Sequence, residues 1–210
     1  MYNLPYTNKQ INIPYLLKIG NGKICKIGKY LKDKNLPGVA LFLGDGTEEL
    51  VGAELRRGFG DNDINVVHSQ VVSDISIESI TQTAFQLPPA TDVVVGIGGG
   101  KALDFAKYSA HLLRLPFVSV PTSTSNDGFC SPTSSLTVGG RRKTVKSSIP
   151  FGVVIDLDII RNSPPPSFAA RYGKRHKLPT PTALPAAAST KPSCPEKLLV
   201  FFSIVLYTPP

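Results

Sequence analysis

The chain has 210 residues, enough for one domain or slightly more, and its apolar fraction of 41% is ordinary for a soluble globular protein. Its net charge of +8 is unevenly spread. Residues 1–163 hold 17 basic and 14 acidic residues, whereas residues 164–210 hold six basic residues and one acid. Residues 1–163 are only mildly basic, which argues against a nucleic-acid-binding protein, because such a protein needs a basic face on a folded module.

The amino-acid sequence also lacks the patterns that are typical of membrane and secreted proteins. The N-terminus is polar and does not resemble a signal peptide. The apolar run at 198–207 is about half as long as a membrane-spanning helix, so no membrane association is expected. Three widely spaced cysteines indicate neither a disulfide framework nor a cysteine metal site, and they favour the cytoplasm.

Strand and helix patterns alternate along the first three quarters of the chain. Buried strands are predicted at 39–43, 93–95, 117–120 and 153–155, and further strands at 15–19 and 64–67. Helices are predicted from about 24 to 31, 47 to 59, 73 or 74 to 87, 101 to 114 and 158 to 161. The segments 136–138 and 143–146 flank two glycines and predict a β-hairpin. This order predicts an α/β fold: a Rossmann-like parallel sheet with helices on both faces and a hairpin insertion.

One glycine-rich junction stands out, at 96–101, where the sequence reads Gly-Ile-Gly-Gly-Gly-Lys between a strand and a helix. Glycines let the backbone approach a ligand closely, and the first helical turn offers unpaired N–H groups to an anion. The spacing matches neither the Gly-x-Gly-x-x-Gly pattern nor the Walker loop. A tight turn without a ligand is the alternative, but three consecutive glycines lose much backbone entropy on folding and favour a phosphate site.

Three polar loops follow buried strands, at 44–47, 96–101 and 122–127. In parallel α/β sheets, ligands bind at the carboxyl ends of the strands. We therefore expect these loops to converge on one nucleotide site.

The character of the chain changes near residue 163. Ten of the 19 prolines fall in residues 164–210, and the stretch 174–195 has no hydrophobic period. Two regions are predicted: an NAD-binding α/β domain at 1–163, and a Pro-rich basic tail at 164–210 that does not pack as a domain.

Several motifs together resemble a known family. They are the glycine junction 96–104, the segment 116–128 (Pro-Phe-Val-Ser-Val-Pro-Thr-Ser-Thr-Ser-Asn-Asp-Gly), Ser131-Pro132, Val145-Lys146 and the segment 153–158 (Val-Val-Ile-Asp-Leu-Asp). Over roughly residues 10–168 the chain resembles the sn-glycerol-1-phosphate dehydrogenase and glycerol dehydrogenase branch of the iron-containing alcohol dehydrogenase superfamily. Dehydroquinate synthase is a more distant relative.

The resemblance implies a two-domain oxidoreductase that acts on the CH–OH group of a polyol or polyol phosphate. An N-terminal domain binds NAD or NADP, and a C-terminal helical domain holds zinc or iron through an Asp and two His. The metal polarises the substrate oxygen while hydride moves to or from the nicotinamide. The implied reaction is most like the interconversion of dihydroxyacetone phosphate and glycerol 1-phosphate, with glycerol as an alternative substrate. The implied partner is this small molecule, and a homo-oligomer is left open.

The resemblance also implies the site residues. Those expected to bind the cofactor are Asp45, Gly98, Gly99, Gly100, Lys101, Ala102, Asp104, Thr122, Ser125 and Ser131. Asp127 is expected to hold a substrate hydroxyl. Asp45 would accept from ribose hydroxyls and repel a 2′-phosphate, which favours NAD over NADP, although an ordinary Asp-Gly turn explains it nearly as well. The residues around Asp127 are also typical of a turn, which is the alternative explanation for this aspartate.

The sequence departs from the family after residue 168. Lys174 stands where the family's first metal ligand, an Asp, belongs, and no histidine has a metal-spaced partner, so no metal ligand is assigned. The helical domain is missing, and the tail resembles a shifted reading frame or a truncated gene. A non-catalytic dinucleotide-binding fragment is therefore the second hypothesis, and a basic-tailed nucleic-acid binder the third.

Overall fold

Six parallel strands form the centre of the fold in the computed structural model, which describes residues 13–123 and 128–162. They are β1 (Leu16–Gly20), β2 (Gly38–Leu43), β3 (Asn65–Val71), β4 (Val93–Gly98), β5 (Phe117–Pro121) and β8 (Gly152–Asp156). Their order in the sheet is β1-β8-β5-β4-β2-β3, and every pairing in it is parallel. The predicted Rossmann-like α/β class is confirmed.

The four inner strands are buried along their whole length. Parallel strands that are covered on both faces have no polar alternation, which explains why they appear in the sequence as short, continuous apolar runs. The two edge strands differ. β3 carries exposed and half-buried residues throughout, because neighbours pair with it on one side only.

Helices cover both faces of the sheet. They are α1 (Ile27–Lys32), α2 (Thr47–Gly60), α3 (Ile77–Gln86), α4 (Gly100–Leu113) and α5 (Leu157–Asn162). Ile27, Val51 and Leu55 pack α1 and α2 onto one face, together with Val39 and Val95 of the sheet. On the opposite face, α3 and α4 form a second core with side chains that include Ile80, Leu103, Phe105, Phe42 and Val94.

The chain reverses its direction of winding between β2 and β4. From β2 the chain passes through α2 to β3 on one side, and from β4 it passes through α4 to β5 on the other side. The loops that leave β2 and β4 therefore diverge toward opposite faces and leave a crevice between them. In open α/β sheets, this switch point is where ligands bind.

The predicted hairpin is present as β6 (Thr133–Val138) and β7 (Arg141–Lys146), an antiparallel pair that turns at Gly139 and Gly140. Both glycines have positive φ, as such a turn requires. Leu136 is fully buried in the core that contains α4. The hairpin is thus packed onto α4 and does not extend the main sheet.

Three local predictions were wrong. Ser76 caps α3 by accepting a hydrogen bond from Ser79, whereas Ser73 or Asp74 was expected; Asp74 instead accepts from the backbone and hydroxyl of Ser76. β3 runs to Val71, beyond the predicted end at 67, because an edge strand tolerates polar side chains. The hairpin strands begin earlier than predicted, at Thr133 and Arg141.

Within residues 13–123 and 128–162, none of the helices has both the length and the apolarity that crossing a bilayer requires. The division into regions 1–163 and 164–210 stays a prediction, since the tail lies outside the described residues.

Candidate functional site

The end of β4 has a geometry that only glycine fits well. Gly98 has φ of +144°, in the region that side-chain-bearing residues rarely adopt. A Cβ added there would lie 3.0 Å from both Cα and N of Gly44, and 3.2 Å from Cβ of Ala102. Gly44 in turn donates its N–H to the Ile97 carbonyl at 2.8 Å. The loops after β2 and β4 are therefore in direct backbone contact at the switch point.

The next glycine has a different environment. Gly99 has an extended backbone with φ of −81°, and a Cβ added there would meet nothing within 4 Å. It precedes the first residue of α4, Gly100, and has no side chain with which to cap that helix. No side chain caps this start of α4, and the helix dipole makes the open space at Gly99 favourable for an anion. Lys101 is exposed in the same turn and adds a full positive charge.

Ala102 and Gly98 pack together beneath this turn. Ala102 is 1% exposed, and its methyl group fills the gap between α4 and the strand end. The loop is therefore supported from below by small residues and open above. This is the arrangement that a phosphate needs in order to approach backbone N–H groups.

The loop after β2 forms the neighbouring wall. Asp45 is exposed there, and Gly46 has φ of +68° with nothing within 4 Å of an added Cβ. Thr47 is buried at 4% exposure and donates its N–H to the Gly44 carbonyl at 3.1 Å. The open face of Gly46 and the exposed Asp45 carboxylate leave room for a sugar beside the glycine junction.

The loop after β5 forms the third wall. Thr122 donates its N–H to the Gly98 carbonyl at 3.1 Å, which ties this loop to the glycine junction. Ser131 lies further along, before β6, and its hydroxyl donates to the Thr133 carbonyl at 3.1 Å. Ser125 and Asp127 lie outside the described residues.

Asp104 is buried where α4 meets β6. It is 7% exposed and forms an ion pair with Lys107, with 3.5 Å between Oδ1 and Nζ. Burial raises the pKa of Asp104, while the charge of Lys107 and a hydrogen bond from the Ser135 backbone oppose the rise. Its expected role in cofactor binding stays a prediction, and the contacts seen here tie α4 to β6.

Sequence reasoning missed Lys107. Its ammonium is fully buried and donates to the carbonyls of Gly128 and Thr133, both at 2.6 Å, and of Ser131 at 3.2 Å. The sequence did contain an indication of this burial, because α4 is apolar on almost its whole circumference. A lysine and an aspartate three positions apart on such a helix must find polar partners in the protein interior.

These loops lie along one edge of the sheet in a fixed order. Neighbouring strands β2, β4 and β5 carry, at their carboxyl ends, an exposed acid, an uncapped glycine turn and a hydroxyl-bearing loop. An extended dinucleotide has the matching order of adenosine ribose, pyrophosphate and nicotinamide. The residues present therefore fit a dinucleotide such as NAD.

The described residues do not fit a catalytic metal. Among residues 13–123 and 128–162, no group of three His, Cys, Asp or Glu side chains lies close enough together to hold a metal ion.

A cavity of about 580 Å³ lies elsewhere, at the C-terminal end of α4. Its lining residues are His111, Leu112, Arg114, Leu115 and Ser148. Because α4 ends where β5 is about to begin, this cavity is at the amino edge of the sheet, opposite the predicted site.

Comparison with known proteins gives a consistent result. The iron-containing alcohol dehydrogenase family model matches residues 18–164. Glycerol-1-phosphate dehydrogenase [NAD(P)+] of Metallosphaera sedula is 34% identical over 158 residues, which are 73% of this chain and 44% of that protein. The enzyme of the same name from Archaeoglobus fulgidus is 30% identical over 166 residues, 79% of this chain and 46% of that protein. The chain thus spans less than half the length of these relatives.

Solved structures agree. Glycerol dehydrogenase from Schizosaccharomyces pombe superposes with a TM-score of 0.63 at 26% identity, covering 72% of this chain and 39% of that one. Sulfoacetaldehyde reductase from Bifidobacterium kashiwanohense, solved in complex with NAD+, has a TM-score of 0.64 at 18% identity and covers 74% of this chain and 48% of that one, which shows the shared fold. The family match over most of the chain, on this fold, shows that the chain belongs to the iron-containing alcohol dehydrogenase family.

Proposed function

We propose that the described residues form the NAD(P)-binding half of a polyol-phosphate dehydrogenase. The reaction of the whole enzyme would interconvert dihydroxyacetone phosphate and sn-glycerol 1-phosphate. One observation carries the proposal: the uncapped start of α4 at Gly99 opens into the switch-point crevice, in a chain 34% identical to a glycerol-1-phosphate dehydrogenase.

Each wall of the crevice has a distinct task in this proposal. The backbone N–H groups of Gly99, Gly100 and Ala102 bind the pyrophosphate, and Lys101 neutralises its charge. Gly98 lets the strand end lie close to Gly44, because any side chain there would bring a Cβ within 3.0 Å of Gly44 backbone atoms. Bound NAD would supply the hydride acceptor at the nicotinamide ring.

The choice between NAD and NADP rests on Asp45. Its carboxylate is exposed at the end of β2, where the adenosine ribose would lie. A carboxylate accepts hydrogen bonds from the two ribose hydroxyls and repels a 2′-phosphate. We therefore infer a preference for NAD, with NADP as the weaker ligand. The substrate side of the crevice begins at Thr122, beside the expected position of the nicotinamide.

A polyol phosphate is the proposed substrate class, and glycerol is the alternative. The first rests on the relatives from Metallosphaera and Archaeoglobus, the second on the Schizosaccharomyces structure at 26% identity. We also infer a cytoplasmic location, because Cys25 is a free thiol and the wide spacing of the three cysteines does not suit a disulfide framework.

The test combines binding with turnover on the purified chain. Calorimetry with NADH measures binding, and absorbance of NADH formed from NAD measures turnover with sn-glycerol 1-phosphate, its enantiomer sn-glycerol 3-phosphate, or glycerol, each with added zinc. Turnover of the first compound alone supports the proposal in full. Binding without turnover supports a non-catalytic dinucleotide-binding fragment. Absence of NADH binding contradicts both.

A further inference from the structure

The buried ammonium of Lys107 holds together two parts of the chain that are distant in sequence. Lys107 lies in the middle of α4 with 0% exposure. Its Nζ donates to the carbonyls of Gly128 and Thr133 at 2.6 Å each and to the Ser131 carbonyl at 3.2 Å. It also lies 3.5 Å from Oδ1 of Asp104. A buried charge is tolerated only when it is paired and hydrogen-bonded in this way.

The three carbonyls belong to one segment, residues 128–133, which leads into β6. This segment includes Ser131, whose hydroxyl lies 3.4 Å from the same ammonium. Asp104 holds the next residues, because its carboxylate accepts from the backbone of Ser135. Two side chains of α4, one turn apart, therefore fix the position of the segment and of the strand that follows.

The same helix also begins at the glycine junction. The distance along the helix axis from Lys101 to Lys107 is about 9 Å, from the rise per residue of an α-helix. Segment 128–133 and the proposed pyrophosphate site are thus attached to one rigid element. In the sheet, the loop after β5 lies on the side of β4 away from β2, which is the side expected for the nicotinamide.

We propose that Lys107 is a positioning residue for the nicotinamide half of the bound nucleotide. Its ammonium holds segment 128–133, with Ser131, at a fixed distance from the glycine junction, and it touches neither nucleotide nor substrate itself. This inference rests on the proposed function. It predicts that Lys107 matters for a ligand that reaches the loop after β5 and not for one that ends at the pyrophosphate.

The test compares two ligands of the full chain. ADP-ribose contains the adenosine and pyrophosphate groups but lacks nicotinamide, whereas NADH contains all three. In Lys107→Met, which keeps the length of the side chain but loses the charge and all donors, NADH affinity falls about tenfold or more, while ADP-ribose affinity stays within about twofold. Lys107→Arg keeps the charge and donors and recovers most of the NADH affinity.

The outcomes separate the possibilities. Equal weakening of both ligands, with a lower unfolding midpoint, means that Lys107 is merely structural and overturns the inference. Unchanged NADH affinity overturns it as well. If the unsubstituted chain binds neither ligand, the proposed function fails and this inference with it; if it binds both and the variant does not discriminate, only the inference fails.

A second measurement applies if Lys107→Met does not fold. Amide hydrogen exchange of residues 128–133 is followed in the unsubstituted chain with NADH and with ADP-ribose. Slower exchange with NADH alone is the expected result, because only NADH reaches the segment that Lys107 holds. Equal exchange under both conditions overturns the inference.

Discussion

Substituting Gly98 by alanine tests whether the contact between the two strand ends maintains the fold. The new Cβ would lie 3.0 Å from backbone atoms of Gly44 and 3.2 Å from Cβ of Ala102. Gly44 directly follows β2 and its N–H is hydrogen-bonded to the Ile97 carbonyl, so its backbone cannot move aside as the end of a flexible side chain can. The backbone φ of +144° adds strain of about 1–3 kcal/mol, and the overpacking adds about 1–3 kcal/mol. The expected loss in the free energy of unfolding is therefore about 2–6 kcal/mol, a large part of a typical domain's total.

Gly99→Ala is the matched control, because it adds the same methyl group one residue later. There the φ of −81° is ordinary and nothing lies within 4 Å. The free energy of unfolding is expected to stay within about 0.5 kcal/mol of the parent value. The methyl group does occupy the space in which the pyrophosphate is proposed to lie, so ADP-ribose affinity falls about tenfold or more.

Urea unfolding followed by circular dichroism measures the first effect, and calorimetry with ADP-ribose measures the second. If Gly98→Ala unfolds at the same urea concentration as the parent, the contact with Gly44 does not maintain the fold. The contrast between the two glycines is likewise refuted if Gly99→Ala is destabilised as much as Gly98→Ala, or if it binds ADP-ribose as tightly as the parent.

Three further predictions concern charge. Lys101→Ala weakens ADP-ribose binding about tenfold at low salt and less at high salt, whereas Lys143→Ala, which removes an exposed hairpin lysine, leaves calorimetric affinity unchanged. Asp45→Asn raises the affinity for NADPH relative to NADH by about tenfold, because the repulsion of the 2′-phosphate is lost; an unchanged ratio of dissociation constants contradicts the role of Asp45. Burial raises the pKa of Asp104 above its ordinary 3.8, so the folded chain holds that proton more tightly than the unfolded chain, and stability falls as pH rises from 3.8 through the folded pKa. Asp104→Asn cannot titrate, so it lacks this pH-dependent part of the stability. The urea midpoint of the parent minus that of the variant is therefore expected to fall as pH rises from 3.8 through the folded pKa. A difference that rises with pH refutes the raised pKa of Asp104.

The central strands were predictable because their sequences are determined by burial on both faces. β2, β4, β5 and β8 appear as continuous apolar runs that end in turn residues, and each is present. The predicted end of β4 at residue 95 was wrong, because the strand continues through Gly96 to Gly98. The edge strand β3 was predicted too short, since water on one side permits His68, Ser69 and Gln70 within it. The hydrophobic pattern does not show where such an edge strand ends. The end of β3 is set by its backbone pairing with β2, which continues to Val71.

The glycine junction was predictable as the turn from β4 into α4, but the different environments of its glycines were not. The sequence shows three adjacent glycines that look equivalent. In the structure, Gly98 is required by its φ and by contact with Gly44, whereas Gly99 is required by neither and leaves space for a ligand. That distinction depends on the neighbouring strand β2, which is distant from the junction in sequence.

The buried ion pair of Asp104 and Lys107 was not predicted from the sequence. Family resemblance directed attention to Asp104 as a cofactor residue, and a helix lysine is ordinarily assigned to a solvated face. The structure buries both side chains between α4 and the segment before β6. Burial of a charged pair depends on the tertiary position of the helix, and only the apolar residues around it, such as Phe105 and Ala106, indicated that this helix has almost no solvated face.

Binding of a dinucleotide across the carboxyl ends of β2, β4 and β5 is the conclusion on which the proposed function depends. A nitrogen-15-labelled sample of the chain, titrated with NADH and followed by amide chemical shifts in NMR, tests it residue by residue. Saturable shifts are expected that are largest at Gly99, Gly100 and Lys101, with smaller ones at Asp45 and Gly46. Absence of shifts, or shifts confined to the cavity beside His111 and Arg114 at the opposite edge of the sheet, would contradict it.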